Sequence, residues 1–157
     1  DFKAFLMQYL PAQPGDMRTP DGRVVGRHDG LMYYTLGQRR GLGIGGAGDG
    51  RRWFVVGKDM ADNVLLVEQG DDSPLLYRER AQAEELHFVA RRPPAAPGVA
   101  FECFARLRHR QPLQRAVVRI DGDRMDMEFE LPQRAVTPGQ SAVLYDGEVC
   151  LGGGIIR

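Results

Sequence analysis

At 157 residues the chain can hold one domain or two small ones, and an apolar share of 43% is enough for a packed core. Its 21 Lys and Arg balance its 21 Asp and Glu, so no whole-chain attraction to nucleic acid is implied and any basic site must be local. There is no apolar run of transmembrane length and no signal peptide. The chain opens on Asp1 rather than Met, which fits a piece of a longer protein.

Phe2, Phe5, Leu6, Tyr9 and Leu10 recur at helical spacing and predict one short amphipathic helix, stopped by Pro11 and Pro14. From Gly15 the pattern turns to β. Pro20-Asp21-Gly22 signals a turn, Val24-Val25-Gly26 a strand, and His28-Asp29-Gly30 another turn. Met32 to Leu36 reads as strand or helical turn, and periodicity does not decide. Then come Gln38-Arg39-Arg40 and four glycines within six residues, Gly41, Gly43, Gly45 and Gly46. Glycines at that density permit positive φ and close approach of another surface. Trp53 to Val56 and Val64 to Val67 form a hairpin around Asp62-Asn63. Asp71-Asp72-Ser73-Pro74 then breaks the pattern.

The reading places a first unit over 1–80 and a second over 81–157. In the second, Leu86 to Val89 is strand-like and Arg91 to Gly98 is a loop. Runs follow at Val99 to Arg110, Arg115 to Ile120, Met125 to Leu131, Ala142 to Tyr145 and Glu148 to Leu151, with hairpin turns at Asp121-Gly122-Asp123 and Asp146-Gly147. Many short strands joined by turn residues imply a mostly β protein ending in a small sandwich or barrel. Cys103 and Cys150 lack metal-site spacing, and both lie in apolar runs that suit buried free thiols.

Alternation puts Met125, Met127, Phe129 and Leu131 on one strand face, inward, and Asp126, Glu128 and Glu130 on the other. In the run before, Arg106, Arg108 and Arg110 share a face. Between Cys103 and Ile120 stand five arginines and no acidic residue. Two explanations compete. The arginines pair across strands with the acidic ladder on a solvated face, or they meet a nucleic-acid backbone, where guanidinium forks suit phosphate.

Other motifs carry less. Gly41, Gly43 and Gly46 spell G-x-G-x-x-G, but no helix-forming segment follows and no βαβ rhythm surrounds them, so a dinucleotide site is excluded by context. A turn loop, or a loop touching phosphate or a partner domain, remains. His28, His87 and His109 have no nucleophile at triad spacing. Gly152-Gly153-Gly154 suits close backbone packing better than an oxyanion loop. No catalytic constellation and no metal site is visible.

The stretch His28-Asp-Gly-Leu-Met-Tyr-Tyr-Thr-Leu-Gly-Gln-Arg-Arg-Gly-Leu-Gly-Ile44 resembles the middle domain of the bacterial tRNA-specific 2-thiouridylases, the MnmA family. Tyr9 to Gly15 and Asp59 to Val64 resemble it too. Arg108-His-Arg-Gln111, Pro132 to Gln140 and Gly147 to Ile155 resemble the family's C-terminal domain. The likeness runs from end to end.

The resemblance implies a small α+β middle domain and an antiparallel β-barrel like the second domain of translation factors. It implies a cytoplasmic parent enzyme that thiolates carbon 2 of the wobble uridine, using ATP with Mg and a persulfide sulfur from a carrier protein. The family's Ser-Gly-Gly-x-Asp-Ser ATP loop is absent from these residues, and Cys103 and Cys150 match barrel positions rather than the catalytic pair. No catalytic residue or cofactor is therefore expected here, and the 157 residues alone should be inactive. The implied partners are tRNA, an N-terminal ATP-binding domain and the sulfur carrier, with no membrane. The implied tRNA contacts are Arg108, His109 (where the family usually has tyrosine) and Gln140, with Arg106, Arg110, Arg39 and Arg40 as weaker candidates. The competing expectation is a stand-alone barrel that binds a protein.

Overall fold

The computed structural model describes residues 12–46 and 48–157. The helix expected over Phe2 to Leu10 lies outside them. The chain forms two compact units, Asp1–Leu76 and Tyr77–Arg157.

The first unit is a four-stranded mixed sheet. β1 (Gly15–Arg18) and β2 (Val24–His28) pair antiparallel across the Pro20-Asp21-Gly22 turn, and β3 (Trp53–Asp59) and β4 (Val64–Gln69) form the expected hairpin. β1 lies parallel to β4, giving the order β2-β1-β4-β3. The hairpin needs a left-handed residue, and Asn63 supplies it at φ 54°. Met17, Val55, Leu65 and Val67 form the core with Leu31, Tyr34, Leu42 and Trp53. The ambiguous stretch after Gly30 resolves as a single 3-10 turn, Leu31–Tyr33.

His28 closes β2 rather than forming a turn, and it is buried. Its Nε2 donates to the Asn63 carbonyl at 2.8 Å. The Asn63 amide in turn donates to the carbonyls of Gln13 and Pro14, both at 3.1 Å. The chain entering β1 is thereby tied to the hairpin turn. Gly15 lies between them, and a Cβ there would collide with the Asn63 carbonyl oxygen.

The second unit is a closed antiparallel barrel. Its strands are β5 (Tyr77–Phe88), β6 (Phe101–Arg106), β7 (Gln114–Asp121), β8 (Arg124–Arg134), β9 (Ser141–Asp146) and β10 (Val149–Ile156). They run round the barrel as β10-β5-β8-β7-β6-β9. Ala83, Ala105, Val118, Met125, Met127 and Leu144 fill the interior. Closure depends on Gly152, Gly153 and Gly154, which sit within β10, where β5 and β9 press against both edges. Cβ atoms there would collide with the carbonyl oxygens of His87, Ala142 and Glu84. β5 begins at Tyr77, four residues before the boundary read from sequence.

Three further expectations are corrected. β6 stops at Arg106, so Arg108 and Arg110 leave the strand and share no ladder with Arg106. Leu131 is 65% exposed although it continues the alternation of Met125, Met127 and Phe129. A register shift between Arg78 and Arg80 opens β8 there, and Gln133 takes the inward position instead. Cys150 is exposed and only Cys103 is half-buried, because β10 begins at an open hairpin end. Among the described residues, no helix is long and apolar enough to cross a membrane.

Candidate nucleic-acid interface

Strand register gathers the basic residues at one end of the barrel. Arg106 of β6 faces Val143 of β9, so the turn after Arg106 and the residues before Ser141 stand at the same rim. β7 starts at that end with Gln114, opposite Ala105, and β10 finishes there with Ile155 opposite Ser141. β8 finishes there too, because Ala116 faces Phe129 and the strand then runs on to Arg134. This rim carries Arg106, Arg108, Arg110, Arg134 and Arg157, with His109 and Gln140. At the other end lie Asp121, Asp123, Asp146 and Glu148, with Arg91, Arg92 and Arg124. A chain of zero net charge thus separates its charges along the barrel.

The turn that bears Arg108 is held from within. The Gln111 side-chain oxygen accepts the Leu107 backbone N–H at 2.9 Å, where β6 would otherwise continue. Arg106 Nε donates to the Gln111 carbonyl at 2.8 Å, and its guanidinium carbon stands 5.4 Å from the centre of the Tyr145 ring. Gln111 Nε2 then donates to Gln133 Oε1 at 2.7 Å, and Gln133 Nε2 to Gln114 Oε1 at 3.1 Å and to the Leu131 carbonyl at 2.8 Å. Gln114 returns a bond to the Pro112 carbonyl at 2.9 Å. Every amide in this relay has a partner, which favours a single arrangement of the turn.

What the relay leaves outside is the basic tip. Arg108, His109 and Arg110 are exposed, and none of their side chains has an ion pair or hydrogen bond among the described residues. Arg110 adopts φ 65°, and the Gln111 N–H donates to the Arg108 carbonyl at 3.2 Å. Gln140 has the same character. Its N–H reaches the Thr137 carbonyl at 3.2 Å and its carbonyl accepts from Ile156 at 2.8 Å, while its side chain stays in solvent. Arg106 differs, since its half-buried side chain is spent on Gln111 and Tyr145.

The acidic ladder pairs elsewhere. Glu128 lies 3.5 Å from Arg80, Glu130 3.5 Å from Arg115, and Asp126 accepts from Gln82 at 2.7 Å. Among the described residues no carboxylate pairs with Arg108 or Arg110. Arg39 and Arg40 lie in the first unit, both exposed, on the loop leading to the glycines.

Sequence reading missed Gln111, Gln114 and Gln133 as the positioning groups. The signal for Gln133 was its place inside the quoted Pro132 to Gln140 segment, as a polar residue on an inward-facing strand. Burial, with the Asp146 charge adding to it, raises the Cys103 thiol to about 11, while Cys150 is exposed. Among the described residues, no cluster of His, Cys, Asp and Glu could hold a metal.

Residues 3–69 match the tRNA methyl transferase PRC-barrel domain family, and residues 78–156 match the aminomethyltransferase beta-barrel domain family. Curated relatives are similar throughout. The tRNA-specific 2-thiouridylase MnmA of Exiguobacterium sibiricum is 57% identical over 99% of this chain, and that of Methylococcus capsulatus 58% identical over 99%. The Bacillus subtilis protein of the same name is 54% identical over 99%. The chain spans 41% to 42% of the length of these relatives.

Proposed function

The chain belongs to the tRNA-specific 2-thiouridylase family, of which it carries the middle and C-terminal domains, and from that premise we propose that it holds and orients tRNA for a sulfurtransferase active site. The observation that carries this reading is the exposed Arg108-His109-Arg110 tip, free of ion pairs among the described residues, on a turn held by half-buried Gln111 and buried Gln133. Arg108 and Arg110 offer guanidinium forks to phosphate oxygens. The His109 ring offers a stacking face and one polar tip, and Gln140 both a donor and an acceptor. Contacts of this kind position a backbone more than they read bases.

The whole enzyme is proposed to thiolate carbon 2 of the wobble uridine with ATP and a persulfide sulfur. Two observations favour placing both requirements outside the residues described. The glycine loop leads into β3 and opens no helix, which is the wrong setting for a nucleotide phosphate loop. Cys103 stays a thiol far above neutral pH, whereas sulfur transfer needs a thiolate. We place adenylation and sulfur delivery in other parts of the enzyme, and its work in the cytoplasm.

The test is binding of unmodified tRNA to the 157-residue chain across a salt series. Affinity is expected to fall with salt by a log–log slope of about −0.7 to −0.9 per phosphate neutralised, and Arg108→Ala to shallow the slope by about one such step. Binding that is absent at low salt, or insensitive to salt, overturns the reading and leaves the protein-binding barrel in its place.

A further inference from the structure

The glycine-rich loop of the first unit has two anchored ends and an open middle. At the entrance, the Gln38 side chain accepts the Thr35 N–H at 3.0 Å and donates to the Arg40 carbonyl at 2.9 Å. At the exit, Gln69 accepts the Asp49 N–H at 3.2 Å and donates to the Arg51 carbonyl at 2.9 Å. Between them Leu42 is 7% exposed in the sheet core and Ile44 packs against it. The apolar side chains thus pin alternate positions, and Gly41, Gly43 and Gly45 come up exposed on either side of them.

The N–H groups from Gly41 to Gly46 meet no acceptor among the described residues. Gly41, Gly43 and Gly46 have φ of 74°, 67° and 63°, while Leu42 and Ile44 between them do not enter the left-handed region. Alternation of that kind can turn successive amides toward one anion. The loop lines a cleft of about 670 Å³ together with Arg39, Arg51, Arg52 and Trp53. Its one carboxylate, Asp49, is taken by Arg51 at 2.7 Å. Arg39, Arg40 and Arg52 have no ion pair among the described residues.

Gly45 is the telling residue. Its φ is not positive, and a Cβ built on it would meet nothing within 4 Å. Among the described residues, neither a left-handed backbone nor a neighbouring atom calls for glycine there. A bare backbone at that point admits close approach of another molecule.

The geometry points to this loop as a second phosphate-receiving site, which takes a phosphodiester group of the RNA through backbone amides and the Arg39 and Arg52 side chains, with exposed Arg40 flanking the cleft. The inference rests on the tRNA reading above and adds a contact on the first unit. An RNA backbone suits an open cleft better than a nucleotide, for which the loop lacks an adjoining helix.

The test compares Gly45→Ala, Arg39→Ala/Arg40→Ala and Arg108→Ala in the whole chain. Gly45→Ala should leave the melting temperature unchanged or slightly raised, since it removes only unfolded-state freedom. It should nonetheless weaken tRNA binding by about fivefold or more, and the double arginine variant should shallow the salt slope by about one to two steps. Millimolar ATP or inorganic phosphate should not displace the tRNA. If Arg108→Ala weakens binding while Gly45→Ala and the double variant do not, the second site falls and the barrel reading stands. If ATP competes with tRNA and Gly45→Ala abolishes that competition, the loop is a nucleotide site and the inference is overturned. If wild-type chain binds no tRNA, both readings fall.

Discussion

Gln111 and Gln133 meet amide to amide, with Gln111 Nε2 donating to Gln133 Oε1 at 2.7 Å and Gln133 only 3% exposed. That bond joins the turn after β6 to the end of β8, two strands that are not neighbours in the barrel. It fixes the place at which Arg108 leaves the surface.

Gln133→Leu keeps the volume and removes both donor and acceptor. The Gln111 amide and the Gln114 oxygen lose their partner, which should cost about 1–3 kcal/mol in urea unfolding. Binding of tRNA, measured where the variant is still folded, should weaken further than Glu128→Gln weakens it. The exposed Glu128 pair with Arg80 is worth at most about 1 kcal/mol and holds no basic turn.

Gly153→Ala should open the barrel. The new Cβ would collide with the Ala142 carbonyl in the adjoining strand, and backbone cannot step aside there. A loss above about 4 kcal/mol, or failure to fold, is expected. Gly147→Ala is the control. Its turn has φ 58° and nothing within 4 Å, so only the conformational cost of about 1 kcal/mol applies.

What was legible in the sequence follows the range of the forces involved. Turns with Asn63, Asp121-Gly122 and Asp146-Gly147 announce hairpins because left-handed φ is a local demand. The mostly β architecture and the close backbone packing of the triple glycine followed from the same local reasoning; that this packing closes the barrel did not. The end of β6 did not, because alternation runs on through Leu107 and His109 while the side chain that stops the strand comes from Gln111. The exposure of Leu131 and the parallel pairing of β1 with β4 were hidden for the same reason. Within the candidate site, the arginine cluster was visible, but its division into a spent Arg106 and free Arg108 and Arg110 required the fold.

The two cysteines should separate by reactivity. At pH 8 one thiol per chain, Cys150, should react quickly with an alkylating reagent, and Cys103 only slowly unless the chain is unfolded. Mass mapping of the labelled peptide checks the assignment.

Cys103 also gives a pH dependence. Its folded pKa of about 11 stands above the ordinary value of 9.0, so the unfolded chain releases this proton first as pH rises. The contribution is full below pH 9.0 and is lost as pH rises toward about 11. Cys103→Ser should flatten that part of the stability curve, read from urea midpoints.

The central claim is that the barrel meets RNA with one rim and not the other. The measurement that tests it most directly is tRNA affinity at a single low salt concentration for Arg108→Ala/Arg110→Ala beside Arg91→Ala/Arg92→Ala, two pairs of equal charge at opposite ends. The account predicts a loss of about tenfold or more for the first pair and less than about twofold for the second. Equal losses from both pairs, or a larger loss from Arg91 and Arg92, would contradict it.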